Sequence, residues 1–501
     1  MKQRLARRSF LQMASTGMAA MAGSGLLARP ASGQTRRPRN IVVILSDDHR
    51  YDFMSFMPQA PAFLETPNLD RLAAGGAHLA NAFVTTSLCS PSRASILTGQ
   101  YMHKHRVVDN QRPVPEGTVF YPQYLRQAGY QTAYVGKWHM GHELDDPRPG
   151  FDHWVSFKGQ GTYFDPLLNV NGERQQFEGY TTDVLTDQAL QWLAQERDPE
   201  RPFFLQVGYK AVHYPFTPAP RHQGRYADKT MPRPETMANT ERNYQTQPHW
   251  VRERRYSIHG IDHMETTPYD NDPVPDFDQF VQDYCECVYG LDENIGRLID
   301  GLEAQGLAED TLVLYLGDNG FAHGEHGFYD KRDAYEESIR IPMIAYAPGL
   351  IEPGSRIDAM VQNIDIAPTL LELAGRQAPA EADMDGRSFM PFLRGQQPDD
   401  WRDHILYEYH WEWNFPATPT LFAIRSERYK YIYHHGVWDH DGFYDLQTDP
   451  LERHNLINVP AYQERIQAMK TQLFDELEER GGLVIPVRRP RGERLDQRKN
   501  R

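Results

Sequence analysis

Cysteine is nearly missing from this chain: there are three in 501 residues, Cys89, Cys285 and Cys287. Cys89 lies far from the other two, so no disulfide framework can be built. Long apolar runs are missing as well, and no stretch reaches the ~20 residues of a membrane-spanning helix. Basic residues are outnumbered, with 53 Lys and Arg against 68 Asp and Glu and a formal net charge of −15. That excludes an overall electrostatic footprint for nucleic acid; an anionic ligand would need a locally positive pocket. No internal repeat is visible. What remains is 40% hydrophobic residues, enough for a large core and for one big domain with a smaller one beside it.

Four short β-rich runs read as buried parallel strands: "NIVVILS" (40–46), "TAYVGKW" (132–138), "PFFLQVGY" (202–209) and "TLVLYLG" (311–317). None alternates clearly, as befits strands covered on both faces. Helical patterns lie between them. Thr66 is placed as N-cap and Pro67 as the first residue of a helix stopped by Gly75 or Gly76. Residues 182–196 and 276–305 are two more helices. In the last, apolar positions at Phe280, Tyr284, Cys287, Leu291, Ile295, Leu298 and Leu302 form one stripe, which makes Cys287 core filler and points Cys285 elsewhere. Strands alternating with helices predict an α/β fold with a mostly parallel sheet flanked by helices. This domain is expected over 38–395, with an irregular insertion at 225–277 that is rich in proline and charge. The aromatic, β-rich stretch 396–482 is expected to be a small C-terminal subdomain, an antiparallel sheet plus a helix near 461–480. A basic tail follows at 483–501.

The first 33 residues read as a targeting segment rather than fold. Arg7 and Arg8 precede Phe10 and Leu11, a weakly apolar stretch follows, and small residues stand at Ala31 and Gly33. This resembles a bacterial twin-arginine signal peptide. It implies export by the twin-arginine translocase and a periplasmic or secreted location. Cleavage there would remove five positive charges and no acid, leaving the mature protein still more acidic.

Each predicted strand is followed by polar groups: Asp47 and Asp48, then Lys137 and His139, then His213, then Asp318 and Asn319. Taken singly, each is an ordinary turn, loop or core residue. Together they repeat at one edge, where open α/β sheets bind ligands. Asp47, Asp48, Asp318 and Asn319 offer only oxygen, which suits a hard cation, Ca²⁺ or less readily Mg²⁺, and not zinc. Arg93, Lys137, His139, His213 and Lys331 add positive charge. A divalent ion ringed by such groups suits a compact tetrahedral anion, sulfate or phosphate.

Cys89 precedes Ser90-Pro91 at the expected start of a helix, with Arg93 one turn on. A thiol at a helix N-terminus should be an activated thiolate. A thiolate beside a hard, oxygen-liganded cation is nevertheless a mismatch, and the residues alone leave this tension open. Cys89-Ser90-Pro91-Ser92-Arg93, running into "ASILTG", resembles the C-x-P-x-R signature of the type I, formylglycine-dependent sulfatases of the alkaline phosphatase superfamily. "ILSDDHR", "GKWHMG", "AVHYPF", "GDNG" and "KRDAYEESIRIP" are similar to that family's motifs and stand in its order. The resemblance implies that a formylglycine-generating enzyme converts Cys89 to Cα-formylglycine. It implies that Asp47, Asp48, Asp318, Asn319 and the modified Cys89 ligate Ca²⁺, and that Arg93 orients the formylglycine. Lys137, His139, His213 and Lys331 would bind sulfate or move protons.

The mechanism implied has Asp318 as the base that activates one hydroxyl of the formylglycine hydrate. His213 protonates the leaving alcohol, with Lys331 as its rival, and His139 deprotonates the second hydroxyl to expel sulfate. Residues 147–173 resemble the N-acetylglucosamine-6-sulfatase group, which implies a sulfated saccharide substrate carrying a 6-O-sulfated hexosamine. Trp154, Gln160 and Tyr163 there, and "YEYHWEWNF" (407–415), are candidate sugar contacts or simply core. The alternatives are a formylglycine-dependent phosphonate monoester or phosphodiester hydrolase, and a sulfated-glycan-binding protein without activity.

Overall fold

The computed structural model describes residues 39–264, 276–486 and 489. The export segment expected over 1–33 and all but a few residues of the basic tail lie outside the described residues.

A ten-stranded sheet forms the centre. Its spatial order is Ser355–Ile357, Ala77–Leu79, Met343–Tyr346, Thr311–Gly317, Asn40–Ser46, Phe203–Gly208, Gln131–Lys137, His153–Phe157, Leu167–Val170 and Glu173–Gln176. The five strands from Thr311–Gly317 to His153–Phe157 are mutually parallel; antiparallel pairs with Met343–Tyr346 and Leu167–Val170 flank them. The four runs read from the sequence are thus neighbours in the parallel core. Their unbroken apolar character has a simple cause. In Asn40–Ser46, Ile41, Val43 and Leu45 face one hydrophobic cluster while Val42 and Ile44 face the other, so both sides of the sheet are buried.

The helix Phe277–Ala304 covers one face, and all seven stripe positions are buried. Cys285 is a correction: it does not point away from the core but is fully buried in it. The 225–277 segment explains this. The backbone amides of Gly224 and Tyr226 donate to the Glu286 carboxylate at 3.0 and 3.1 Å, which folds the segment over the helix and brings Tyr226 beside Cys285. That segment is also less irregular than expected, since it contains the short helices Glu241–Tyr244, His249–Arg254 and Ile261–Met264. A second correction concerns the helix Pro67–Gly75. Thr66 precedes it but gives no side-chain cap. Asp292, from the long helix, accepts from the amides of Asn68 and Leu69 at 3.1 and 2.8 Å, doing the work of an N-cap from a distant segment.

The C-terminal part is the expected small unit. Strands His404–Tyr409, Thr420–Ser426, Tyr429–His435 and Gly442–Asp445 form an antiparallel sheet in chain order. The helix Gln463–Arg480 lays Ile466, Met469, Leu473 and Leu477 on Leu406, Phe422, Ile424 and Phe443. The spacing of 3, 4 and 4 between those helix residues is one amphipathic face.

One polar tie holds this helix to the sheet. His404 Nε2 lies 3.1 Å from Glu476 Oε1. That hydrogen bond raises the His404 pKa above its ordinary 6.5 and draws Glu476 down to about 2. A raised histidine stabilises below pH ~6.5 and loses that contribution as pH rises through its folded pKa. A depressed carboxylate stabilises above pH ~4.5 and loses it as pH falls towards 2. The pair therefore contributes most between these limits, on the order of 1 kcal/mol at a partly exposed site. The difference in melting temperature between the wild type and His404→Ala should peak near pH 5–6 and shrink at pH 9 and at pH 2. A difference independent of pH would exclude the ion pair as its source.

Candidate active site

The parallel strands end level with one another: Ser46 pairs with Gly317, Leu45 with Gly208, and Gly136 with Gly208. The residues that follow therefore emerge at one height on the sheet edge. Gly136 has φ +124°, and a Cβ there would meet the Gly208 carbonyl oxygen at 1.9 Å; only glycine lets the chain pass this close before it delivers Lys137. Asp48 and His139 also sit at positive φ, 57° and 61°. Non-glycine residues rarely adopt this conformation, though Asp and His tolerate it better than most.

All ten residues singled out in the sequence meet here. Asp47, Asp48 and Asp318 are fully buried, with carboxylate oxygens within 4.8 Å of one another. Arg93 Nε donates to Asp318 Oδ2 at 2.9 Å and its Nη1 to the Lys137 carbonyl at 2.7 Å. Lys137 Nζ contacts Asp47 Oδ2, and Lys331 Nζ reaches both Asp48 oxygens at 2.5 and 2.6 Å. Asn319 Nδ2 donates to Asp48 Oδ1 at 2.7 Å. Cys89 Sγ lies 3.4 Å from Asp47 Oδ1, and His213 Nε2 lies 3.8 Å from Asp48 Oδ2. His139 is fully buried close by, and among the described residues neither ring nitrogen has a partner.

The electrostatics divide these groups. Burial alone would raise all three aspartates. Lys137, His213, Arg93 and Lys331 overcome it at Asp47 and hold that carboxyl well below its usual range. Burial dominates at Asp318, and the neighbouring Asp47 charge adds to it, so its pKa is pushed up to about 7. Burial and the surrounding cations keep His139 and His213 neutral, far below the ordinary histidine value. Cys89 departs from expectation. Its helix, Cys89–Thr98, starts at the cysteine itself and is buried along its whole length. Burial, with the Asp47 charge, drives the thiol pKa up rather than down. As a thiol it is protonated and inert, whatever its helix end would favour.

The donor set fits a hard cation. Three carboxylates and one carboxamide converge, and among the described residues the buried Asn319 Oδ1 has no hydrogen-bond partner. Turning that amide over would present its oxygen where its nitrogen now faces Asp48. Two ammonium groups already lie on Asp47 and Asp48, so the cluster is built to receive positive charge.

Some neighbours were not found from sequence. Lys210 is buried beneath the site with its Nζ 4.6 Å from the centre of the Tyr163 ring. Burial, then Lys137, pushes its pKa down to about 8. It stands three residues before His213 in "YKAVHYPF", a proximity that could have drawn notice. Arg332 Nε donates to Glu412 Oε1 at 2.8 Å, and its guanidinium also pairs with Asp330. Arg254 Nη1 donates to Asp333 Oδ2 at 3.0 Å. These ties join the small subdomain and the 225–277 segment to the residues around Lys331, and no sequence signal announces such long-range pairs. Among the candidate sugar contacts, Trp154 is core, stacked on Tyr134 with ring centres 4.9 Å apart. Gln160 does reach the site, its Oε1 accepting from Lys137 Nζ at 2.5 Å. Tyr163 braces His213, donating from its hydroxyl to the His213 carbonyl at 2.8 Å. Phe415, in the second candidate stretch, lies on Arg332 at 4.2 Å and on His259 with ring centres 4.7 Å apart.

Comparison with known proteins agrees with this geometry. A family model described as Sulfatase matches residues 39–376, and one described as N-sulphoglucosamine sulphohydrolase, C-terminal, matches 324–479. The chain is 33% identical over 496 residues to the N-acetylglucosamine-6-O-sulfatase of Bacteroides thetaiotaomicron, covering 87% of this chain and 86% of that protein. It is 31% identical over 416 residues to the N-acetylglucosamine-6-sulfatase of Homo sapiens, covering 77% and 70%. Among solved structures, that of BT4656 in complex with its substrate D-glucosamine-2-N,6-O-disulfate superposes with a TM-score of 0.81 at 30% identity, over 89% of this chain and 99% of that one. The phosphonate monoester hydrolase of Agrobacterium radiobacter shares the fold, with a TM-score of 0.72 at 22% identity over 88% and 96%.

Proposed function

The chain belongs to the sulfatase family and hydrolyses sulfate esters, and from that premise we propose that its substrate is a saccharide bearing a 6-O-sulfate on an N-acetylglucosamine-type sugar. The observation that carries this reading is the likeness, over nearly the whole chain, to a structure whose own substrate is a 6-O-sulfated glucosamine. The names of the two curated relatives support the same position on the same sugar.

The site residues fit the family's chemistry. Asp47, Asp48, Asp318 and Asn319 would hold a divalent cation, Ca²⁺ by the oxygen-only donor set, and a cation bound there supplies Lewis acidity to the reacting sulfate ester. Cys89, as formylglycine, would be the position from which sulfur is attacked. Asp318, whose pKa is near 7 without a cation, would stay ionised beside one and so be free to take a proton. Lys137, Lys331 and Arg93 counter the charge on the sulfuryl oxygens. His213 Nδ1 lies 2.5 Å from the Tyr214 carbonyl, which accepts only, so Nδ1 carries the hydrogen and Nε2 is left for proton exchange with the leaving sugar oxygen. Burial, then Lys331 and Lys137, keep His213 neutral; the sulfate's negative charge would offset the two cations and so favour the protonated acid form. His139, neutral and without a hydrogen-bond partner among the described residues, would accept the later proton that releases sulfate.

The test is free sulfate released from a panel of defined saccharides. N-acetylglucosamine-6-sulfate should be turned over faster than its 3-O-sulfated, 4-O-sulfated hexosamine and N-sulfated counterparts by roughly 100-fold or more. Equal rates at another position would overturn the choice of sugar. Faster cleavage of an aryl phosphodiester than of the matched aryl sulfate would favour the phosphonate and phosphodiester hydrolase alternative. Binding of the panel without any sulfate release would favour a glycan-binding protein.

A further inference from the structure

Trp438 is the most exposed large apolar residue of the described chain, with 87% of its surface in water. It lies in the turn between the strands Tyr429–His435 and Gly442–Asp445. A lone exposed indole needs no explanation. This one stands at the rim of a pocket of about 340 Å³ formed by Glu241–Arg252 and Asn455–Val459, a volume within the usual range for small-molecule sites. The two are continuous. The Trp438 and His249 rings are 5.4 Å apart, the His249 and His440 rings 6.1 Å apart, and both histidines line the pocket. Asp439 fixes the rim: its Oδ2 accepts from the Trp250 amide at 2.8 Å, and its Oδ1 lies 3.4 Å from His249 Nδ1.

The lining has a particular chemistry. Among the described residues, the side-chain carboxamides of Gln245 and Asn458 make no hydrogen bond. They offer both donors and acceptors to the pocket. Arg252 spends its Nε on Asn239 at 3.0 Å and its Nη1 on Glu241 at 3.4 Å, which leaves Nη2. An open aromatic face beside uncommitted amides matches a pyranose ring, which presents apolar C–H groups on one face and hydroxyls around its edge. Arg252 and the two histidines add donors for a sulfate or carboxylate on that ring.

We propose that Trp438 and this pocket form a second, non-catalytic binding site for a sulfated saccharide chain. The proposal rests on the reading that the substrate is a sulfated saccharide, and adds that the enzyme holds the polymer at a place apart from the reacting sugar. The short helix His249–Arg254 links the two places. His249 at its start lines the pocket, and Arg254 at its end donates to the Lys331 carbonyl; six residues of helix span about 9 Å. Engagement at both places makes capture of the chain partly intramolecular, so affinity for polymer exceeds affinity for monosaccharide.

The experiment reads binding and turnover separately. In a Cys89→Ala background, migration through a gel containing heparan sulfate should be retarded, and adding Trp438→Ala should weaken that binding by roughly tenfold. With Cys89 intact, Trp438→Ala and Asn458→Ala should raise KM for heparan sulfate chains by a similar factor. Both should leave kcat/KM on N-acetylglucosamine-6-sulfate within twofold of the wild type. Unchanged chain binding and unchanged KM in both variants would overturn the proposal, as would an equal loss on the monosaccharide. If the wild type does not hydrolyse N-acetylglucosamine-6-sulfate, the substrate reading fails, while loss of retardation on Trp438→Ala would still support the second site.

Discussion

Cys89→Ala is expected to fold normally and to lose turnover by roughly 10⁴-fold or more, the scale seen when a nucleophile is removed from a preorganised site. The fold should survive because alanine is well suited to helix, and the change removes one small side-chain atom whose hydrogen bond among the described residues is a weak 3.4 Å contact with Asp47. The activity should not survive, because the neighbours cannot substitute for the missing group. Burial raises the thiol pKa, so the site does not ionise a cysteine there. An aldehyde hydrate at this position, as proposed above, would supply oxygen instead, matching the oxygen-only donor set. Cys89→Ser should fail as well, since a serine has no second hydroxyl with which to expel sulfate. Two measurements read the modification directly. A peptide spanning position 89 should be lighter than the cysteine form by ~18 Da. The unfolded active enzyme should titrate for two thiols, Cys285 and Cys287, rather than for all three cysteines in the sequence. Full activity in a metal-loaded enzyme with an intact Cys89 thiol would falsify the formylglycine mechanism.

The candidate site was legible because its residues come just after strands whose apolar runs are unmistakable. "NIVVILS" is short, rich in β-branched residues and apolar between its ends, which reads as a strand covered on both faces, and once it is there Asp47 and Asp48 lie at its end. The same holds for Asp318 after "TLVLYLG". What stayed hidden depends on which distant segments meet. The burial of Cys285 follows from a segment that folds back through Glu286, and the capping of Pro67–Gly75 by Asp292 joins residues more than two hundred positions apart. The helix-end argument for an activated Cys89 failed for a related reason. A helix terminus favours an anion when solvent or donors can reach it, but here burial and the Asp47 carboxylate outweigh the helix. Local sequence shows the helix start and says nothing of what lies against it.

Arg93 should join the two properties, stability and turnover, that Cys89→Ala separates. Its guanidinium is almost fully buried and spans the site, bonded to Asp318 on one side and to the Lys137 carbonyl on the other, with Nη2 3.9 Å from Asp47. Arg93→Ala would leave the Asp318 carboxylate facing Asp47 and Asp48 with one cation fewer. Breaking a buried pair in this way costs roughly 3–5 kcal/mol. Turnover should fall by about 10²–10³-fold, the usual cost of losing one preorganised donor. Arg93→Lys should recover part of the stability, because a charge is restored, but little of the activity. An ammonium is a point charge and cannot form both arms of a fork at fixed geometry. The measurements are kcat/KM on the preferred sulfate ester and the free energy of denaturant unfolding for the three proteins. Arg93→Lys with wild-type turnover would show that charge alone suffices. In the cation-free protein, Arg93→Ala with wild-type stability would show that Asp318 is neutral when folded, the outcome its pKa near 7 favours as pH is lowered. Below that pKa a protonated Asp318 no longer needs the arginine, so in the cation-free protein the stability lost on Arg93→Ala should be smaller at pH 5 than at pH 8, whereas a bound cation should keep Asp318 ionised and remove that difference.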